Sequence, residues 1–136
     1  MIASHGVLDT KAVLQSASIR PTRQRQVLVR LLFAGKNRHV TAESLHAEAC
    51  AQGTKMALAT VYNSLRRFTN AGLLRELVVD ARRRYFDTNI THHHHILSEQ
   101  TGELVDIDPE NIEVVGLPTL PRGTSVSQID IVVRIK

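Results

Sequence analysis

The stretch from residue 58 to 86 constrains this chain more than any other. In Leu58-Ala59-Thr60-Val61-Tyr62-Asn63-Ser64-Leu65-Arg66-Arg67-Phe68, the residues Val61, Leu65 and Phe68 fall on one face of a helix, and Tyr62, Asn63 and Arg66 share another. Gly72 supplies the stop. Two β-like runs follow, 73–79 and 83–86, joined by a short turn at Asp80-Ala81-Arg82. Short helices followed by a basic hairpin make the winged version of the helix-turn-helix, in which the last helix enters the major groove. Asn63 and Arg66 can hydrogen-bond base edges or phosphates, and Tyr62 can also pack on a thymine methyl. Arg82, Arg83 and Arg84 on the hairpin would meet phosphates. The competing reading is an ordinary helical domain with a charged rim.

The helices in front of this unit are weaker signals. Residues 9–18 are mildly helical around Ala12, Val13 and Leu14, and Pro21 breaks the pattern because it pushes Arg20 out of the α region. Thr22 can cap a second helix carrying the stripe Val27, Leu28, Leu31 and Leu32, ended by Gly35. Thr41 caps a third, with Glu43 in its first turn, Leu45 and Ala49 facing inward, and Gly53 closing it. Cys50 lies between Ala49 and Ala51 and reads as a packing residue.

Charge divides the chain. Residues 1–91 hold 14 Lys/Arg against 6 Asp/Glu, whereas residues 92–136 hold 3 against 7, which together give the net +4. A basic first part joined to an acidic second part suggests a nucleic-acid binder with a separate module, although basic faces can also be merely solvated. There is no run of about 18 apolar residues, so no membrane span is expected. The N-terminal residues Ser4, His5 and Asp9 lack the order of a signal peptide. A single cysteine excludes an intrachain disulfide and fits a reducing cytoplasm.

The acidic part opens on four adjacent histidines, His92 to His95, followed by Ile96 and Leu97. Imidazole is a common ligand for transition metals, and in an extended run His92 and His94 face one way while His93 and His95 face the other. One ion could not collect all four. The alternative is a solvated polar loop. Beyond it, residues 104–107 read as a strand after a turn at Thr101-Gly102. The ending alternates Ile129, Ile131, Val133 and Ile135 with Gln128, Asp130 and Arg134, while Pro118 and Pro121 forbid a long helix between them. So small an acidic sheet has too little core to stand alone, and self-association is expected. No glycine-rich phosphate loop, nucleophile elbow or Cys-x-x-Cys is present, and no acid–base pair lies in a nameable cleft. A histidine-ligated metal hydrolase is the one enzyme reading left, and the helix–hairpin pattern beside the histidines argues against it. The chain is read as a non-enzyme.

At these residues the sequence resembles the Fur family of metal-responsive bacterial transcription regulators. The matching segments are His39-Val40-Thr41-Ala42-Glu43-Ser44-Leu45, Leu58-Ala59-Thr60-Val61-Tyr62, Phe68, Ala71-Gly72, Phe86 and the histidine run, covering roughly residues 10 to 113. Within the family it is most similar to the Irr branch, the iron response regulators. That similarity lies in Arg20-Pro21-Thr22-Arg23-Gln24-Arg25, Tyr85-Phe86-Asp87-Thr88-Asn89, His93-His94-His95 and Ile129-Asp130-Ile131-Val132-Val133-Arg134.

The resemblance implies an α+β homodimer. Residues 1–88 would form a winged-helix DNA-binding domain and residues 89–136 a small β-rich dimerisation and sensing domain. It places Tyr62 on the bases and Arg20 near the backbone or minor groove, so the DNA-contacting set becomes Arg20, Thr60, Tyr62, Asn63, Arg66, Arg82 and Arg83. It implies a hinge site for Fe, Mn or Zn built from His39, Asp87, His93, His95 and Asp106. A weaker second site would use His92, His94 and Glu113, with no histidine after residue 95 to complete it. In the Irr branch the triple His93, His94 and His95 is associated with haem. The expected function is therefore a cytoplasmic regulator of iron- or haem-responsive genes acting on an A·T-rich pseudo-palindrome. The alternatives are a direct Mn, Zn or Fe sensor and a metal- or haem-binding protein without a DNA role. Several positions depart from the family. Ser98-Glu99-Gln100-Thr101 stands where a Cys-x-x-Cys zinc knuckle is common, and Asn63 where an arginine is usual. Pro118 and Pro121 stand where the family has its dimerisation helix, and Cys50 is not followed by the proline of a cysteine-based haem motif.

Overall fold

The computed structural model describes residues 7–136, so Ser4 and His5, used above to judge the N-terminus, lie outside the described residues. The chain divides into two compact units, Met1–Ile90 and Thr91–Lys136. Its class is α+β.

The first unit runs α1 (Thr10–Ser16), α2 (Arg23–Phe33), β1 (His39–Val40), α3 (Ala42–Ala51), α4 (Leu58–Asn70), β2 (Arg75–Val78) and β3 (Arg84–Asp87). The strands form one antiparallel sheet in the order β1-β3-β2. Each of the first three helices starts where a side-chain oxygen takes a first-turn N–H. Asp9 accepts from Ala12, Thr22 from Arg25, and Thr41 from Ser44 in a reciprocal capping box. Helix α4 starts at Ala57 without a side-chain cap, which leaves its positive end open.

The helix ends correct the sequence reading in two places. Helix α1 stops before proline acts: Ser18 turns left-handed at φ 59°, and the Ile19 N–H reaches back to the Leu14 carbonyl at 2.9 Å. Gly53 and Gly72 hold the equivalent left-handed positions after α3 and α4, with the same backward bonds from Thr54 to Ala49 and from Leu73 to Phe68. Gly35 is not such a cap, because α2 ends at Phe33 with Ala34 in the right-handed region and Gly35 takes no positive φ.

The core of this unit is aliphatic and aromatic. Leu14, Leu28, Val29, Leu32, Leu45, Val61, Leu65, Phe68 and Phe86 are fully buried, each burial contributing about 1.5–3 kcal/mol. On α2 the buried line is Leu28, Val29 and Leu32, and the expected Val27 and Leu31 sit half-buried at its margins. Ala12 is exposed. Cys50 is exposed too, with its sulfur 3.6 Å from His46 Nε2 one turn away, so it is not the packing residue its alanine neighbours suggested.

The second unit is a three-stranded sheet in the order β5-β4-β6, from β4 (His94–Ser98), β5 (Leu104–Ile107) and β6 (Val132–Ile135). Strands β4 and β5 pair antiparallel through a turn in which Gly102 takes φ 75°, and β6 lies parallel to β4. Strand β5 returns the chain to the end of β4 at which β6 begins, so residues 108–131 only carry it past β4, with a 3₁₀ turn at Pro109–Asn111 and no further helix. Strand β6 is shorter than the alternation at 128–135 suggested, and Val133 and Ile135 are 42% and 48% exposed. No second layer covers that side within the unit: Leu97 and Leu104 are its buried apolar residues, while Val105, Val114, Val115, Leu117, Leu120 and Val126 stay exposed. Among the described residues no helix is long and apolar enough to cross a membrane.

Candidate metal centre and nucleic-acid interface

Strand pairing builds the first group of ligating side chains. The β1–β3 register sets His39 opposite Asp87, and His39 Nε2 lies 3.1 Å from Asp87 Oδ2. The other carboxylate oxygen accepts the Asn89 N–H at 2.8 Å, which fixes how the Asp87 side chain is turned. One residue along, the Thr88 hydroxyl takes the Arg38 N–H at 2.8 Å, and the Arg38 guanidinium meets Glu48 of α3 through both nitrogens. Hydrogen bonding to Glu48, opposed by partial burial, raises the Arg38 pKa above its ordinary value. His39 and Asp87 are therefore held from both sides by neighbours with their own anchors. Two-residue β1 carries no periodic signal, so the sequence alone could not have shown this pairing.

The second unit gathers His93, His95 and Asp106. The β4–β5 register opposes His95 to Asp106, and alternation returns His93 to the same face. Asp106 Oδ1 is 3.3 Å from His93 Nε2 and 3.5 Å from His95 Nε2, and the two imidazole centroids are 4.5 Å apart. His93 Nδ1 lies 2.6 Å from the Thr91 carbonyl oxygen, an acceptor that demands a proton on Nδ1. In a neutral ring the Nε2 lone pair then faces a carboxylate oxygen. Two lone pairs at that separation repel unless a proton or a metal cation lies between them. The donors are nitrogen and carboxylate oxygen with no thiolate, a set that suits first-row divalent ions.

The other face of β4 differs. His92 and His94 stack edge to face at 5.0 Å, and His94 Nδ1 accepts the Ile131 N–H at 3.2 Å, tying down the β5–β6 connection just before β6. Among the described residues no group of three metal-ligating side chains includes His92, His94 or Glu113. A haem seat on the triple histidine fits the geometry poorly. His93, His94 and His95 are 4%, 4% and 2% exposed and lie on two opposite faces, so no one ligand can reach all three, and the solvated polar loop is not what these residues form. Ser98-Glu99-Gln100-Thr101 closes as a hydrogen-bonded turn, with the Ser98 hydroxyl taking the Thr101 N–H at 3.3 Å.

The polar side of α4 holds the residues expected at DNA. Tyr62 is half-buried, its ring edge-on to Phe86 at 6.4 Å. Arg66 lies over the Tyr62 ring at 6.0 Å from the centroid and donates to the hydroxyl at 3.4 Å. Tyr62, Arg82 and Arg84 share a cleft of about 150 Å³ with Ala42, Glu43 and Phe86. On the hairpin, Asp80 Oδ1 accepts the backbone N–H groups of Arg82 and Arg83 and shapes the tip. Arg83 also pairs with Asp80 at 3.5 Å, and Arg84 with Glu76 at 2.9 Å, which raises the Arg84 pKa. Arg82 is the exposed cation at the tip. Arg20, Thr60 and Asn63 lie apart from Tyr62, lining a separate cleft with Arg25 and Arg67, two cations that sequence reasoning passed over.

The comparisons with known proteins bear on this arrangement. The model of the ferric uptake regulator family matches residues 16–134. The chain belongs to that family. It is 35% identical over 102 residues to the peroxide-responsive repressor PerR of Staphylococcus aureus, covering 75% of this chain and 68% of that one. Its fold is similar to the manganese-containing ferric uptake regulator of Pseudomonas aeruginosa, with TM-score 0.69, 23% identity and 95% and 98% of the two chains covered. It is also similar to the Vibrio cholerae ferric uptake regulator, with TM-score 0.72, 18% identity and 94% and 99% covered. Membership makes the chain a metal-responsive transcription regulator and not an enzyme.

Proposed function

We propose that this Fur-family regulator is a cytoplasmic homodimer whose grip on operator DNA depends on one divalent cation per protomer, held jointly by His39 and Asp87 of the first unit and His93, His95 and Asp106 of the second. The carrying observation is the His93 imidazole, whose Nδ1 proton is committed to Thr91 while its Nε2 faces Asp106 at 3.3 Å. A cation there would be shared by ligands on both sides of the short 88–92 connection, and so would bias the placement of one unit on the other. Fe, Mn and Zn all suit the ligand set. The DNA-binding domain, residues 1–88, reads DNA through Tyr62, Asn63 and Arg66 on α4, with Arg20, Thr60, Arg82 and Arg83 around them. Residues 89–136 sense and dimerise. The apolar residues left exposed there, Val115 at 80% and Leu117 at 54% among them, support a self-associating sheet.

The finer signal is a choice among three. An Irr-type answer to haem rests on the triple histidine and its flanking matches, and the burial of those imidazoles weighs against it. Peroxide responsiveness is the property named for the Staphylococcus aureus relatives. Direct metal sensing requires the fewest changes to the geometry, and we prefer it. Titration of Mn²⁺ into metal-stripped protein, followed by electron paramagnetic resonance, tests the shared site. One ion per protomer is expected in the wild type, with binding weakened by His39→Ala and by His93→Ala alike. A His39→Ala variant that binds as the wild type does would confine the ion to the second unit and refute the shared site.

A further inference from the structure

Arg20 before α2, Arg25 in its first turn and Arg67 on α4 converge on a cleft of about 400 Å³, which Thr22, Thr60 and Asn63 also line. No carboxylate lines it. Arg25 is oriented by the fold, because its Nη1 donates to the Arg20 carbonyl at 2.9 Å and its backbone N–H is taken by the Thr22 cap. Its pKa is pushed below the ordinary value by partial burial, then by the Arg67 charge, then by Arg20. Three like charges gathered without a counter-charge are a standing repulsion that an anion relieves. The cleft does not end there. Past Gln24, two adjoining clefts carry Arg23, Lys55 and Arg30, again without a carboxylate. A free phosphate would need one of these clefts; a continuous cationic track suits a linear polyanion.

We propose that Arg25 and Arg67, with Arg20, clamp one DNA backbone phosphate per protomer, so that α4 reads bases with Tyr62 while an adjacent side of the same helix fixes its register. The proposal rests on the DNA-binding reading above. Arg67 stands one turn from Asn63, so a guanidinium still reaches this side of α4 although the position after Tyr62 carries none. Phosphate contacts position a protein without selecting sequence.

The test is fluorescence anisotropy on an operator duplex and a random duplex of equal length, across a salt series. Wild type, Arg67→Ala, Arg67→Lys and Arg25→Ala are compared, with Lys36→Ala, beyond the other end of α2, as a control. Arg67→Ala should lose affinity equally on both duplexes, and its salt dependence should flatten by about two, one phosphate per protomer of a dimer. Raising salt from about 50 to 200 mM then weakens the wild type about tenfold more than the variant. Arg25→Ala should behave alike, Arg67→Lys should restore the slope, and Lys36→Ala should match the wild type. The Arg67→Ala melting temperature should not fall, since the substitution removes a repulsive charge; a purely structural role would lower it. An unchanged slope in both alanine variants, or a loss confined to the operator, overturns the clamp. A wild type that binds neither duplex overturns the regulator reading itself.

Discussion

Phe86 joins the two functional sides of the first unit, and replacing it tests whether they are mechanically linked. It sits on β3 beside Asp87, a proposed metal ligand, fully buried, with its ring edge-on to Tyr62 at 6.4 Å and 81°. Phe86→Ala would cost about 3–5 kcal/mol, too much of a total stability of about 5–15 kcal/mol for a clean reading. Phe86→Leu keeps most of the apolar volume and removes the ring, so a loss of about 1–2 kcal/mol is expected. Edge-to-face pairs contribute about 0.5–1.5 kcal/mol beyond area, and half-exposed Tyr62 puts this pair in the lower half of that range. Urea denaturation of Phe86→Leu, Tyr62→Leu and the double variant isolates that coupling, expected at about 0.5–1 kcal/mol. Phe86→Leu should also lower operator affinity severalfold while sparing random DNA, because Tyr62 is present but less well held. Coupling within about 0.3 kcal/mol of zero is ordinary additivity and would refute the idea that Phe86 positions the tyrosine.

Three further outcomes are expected. Tyr62→Ala should weaken operator binding by about 1–3 kcal/mol and leave random-DNA binding mostly intact; equal losses would exclude Tyr62 as a base reader. Chelation should leave a cooperative melt, because the main hydrophobic core includes none of the proposed ligands, whereas cation at about a hundred times its Kd should add about 2.7 kcal/mol. Complete unfolding in chelator would make the metal structural. Ser18→Gly should raise stability by about 0.5–1 kcal/mol in thermal or urea unfolding, by relieving the left-handed φ of 59° at an exposed position, and a lower melting temperature would contradict the cap assignment.

What the sequence made legible follows from the range of its signals. Helix α4 was readable because Val61, Leu65 and Phe68 repeat at helical spacing and Gly72 takes the φ of 82° its position requires. Thr22 and Thr41 announced their helices because capping is a local hydrogen bond. Strand β1 was invisible: two residues cannot show a period, and its reason for existing is Asp87, 48 positions away. The adjacency of His39 and Asp87 therefore entered only through family resemblance. Cys50 misled because flanking alanines look apolar, yet Ala49 takes the inward position and turns its neighbour outward. The alternation at 128–135 overstated β6, since alternation marks a strand with one face covered and this unit has no layer to cover it. Arg25 closed the Arg20–Arg25 match to the Irr branch without being assigned a role, and Arg67 carried no motif at all. They became a candidate site only when the fold brought the start of α2 and one side of α4 to a common cleft with Arg20.

Operator affinity measured with and without the cation tests the central claim most directly. In fluorescence anisotropy, metal-stripped wild type given Mn²⁺ should bind the operator about 5–150-fold more tightly than in chelator, the span of ordinary allosteric coupling. His39→Ala and His93→Ala, one from each unit, should both bind at the chelated level whether or not Mn²⁺ is added. Operator binding by the wild type that is equally tight in chelator and in Mn²⁺ would contradict the account.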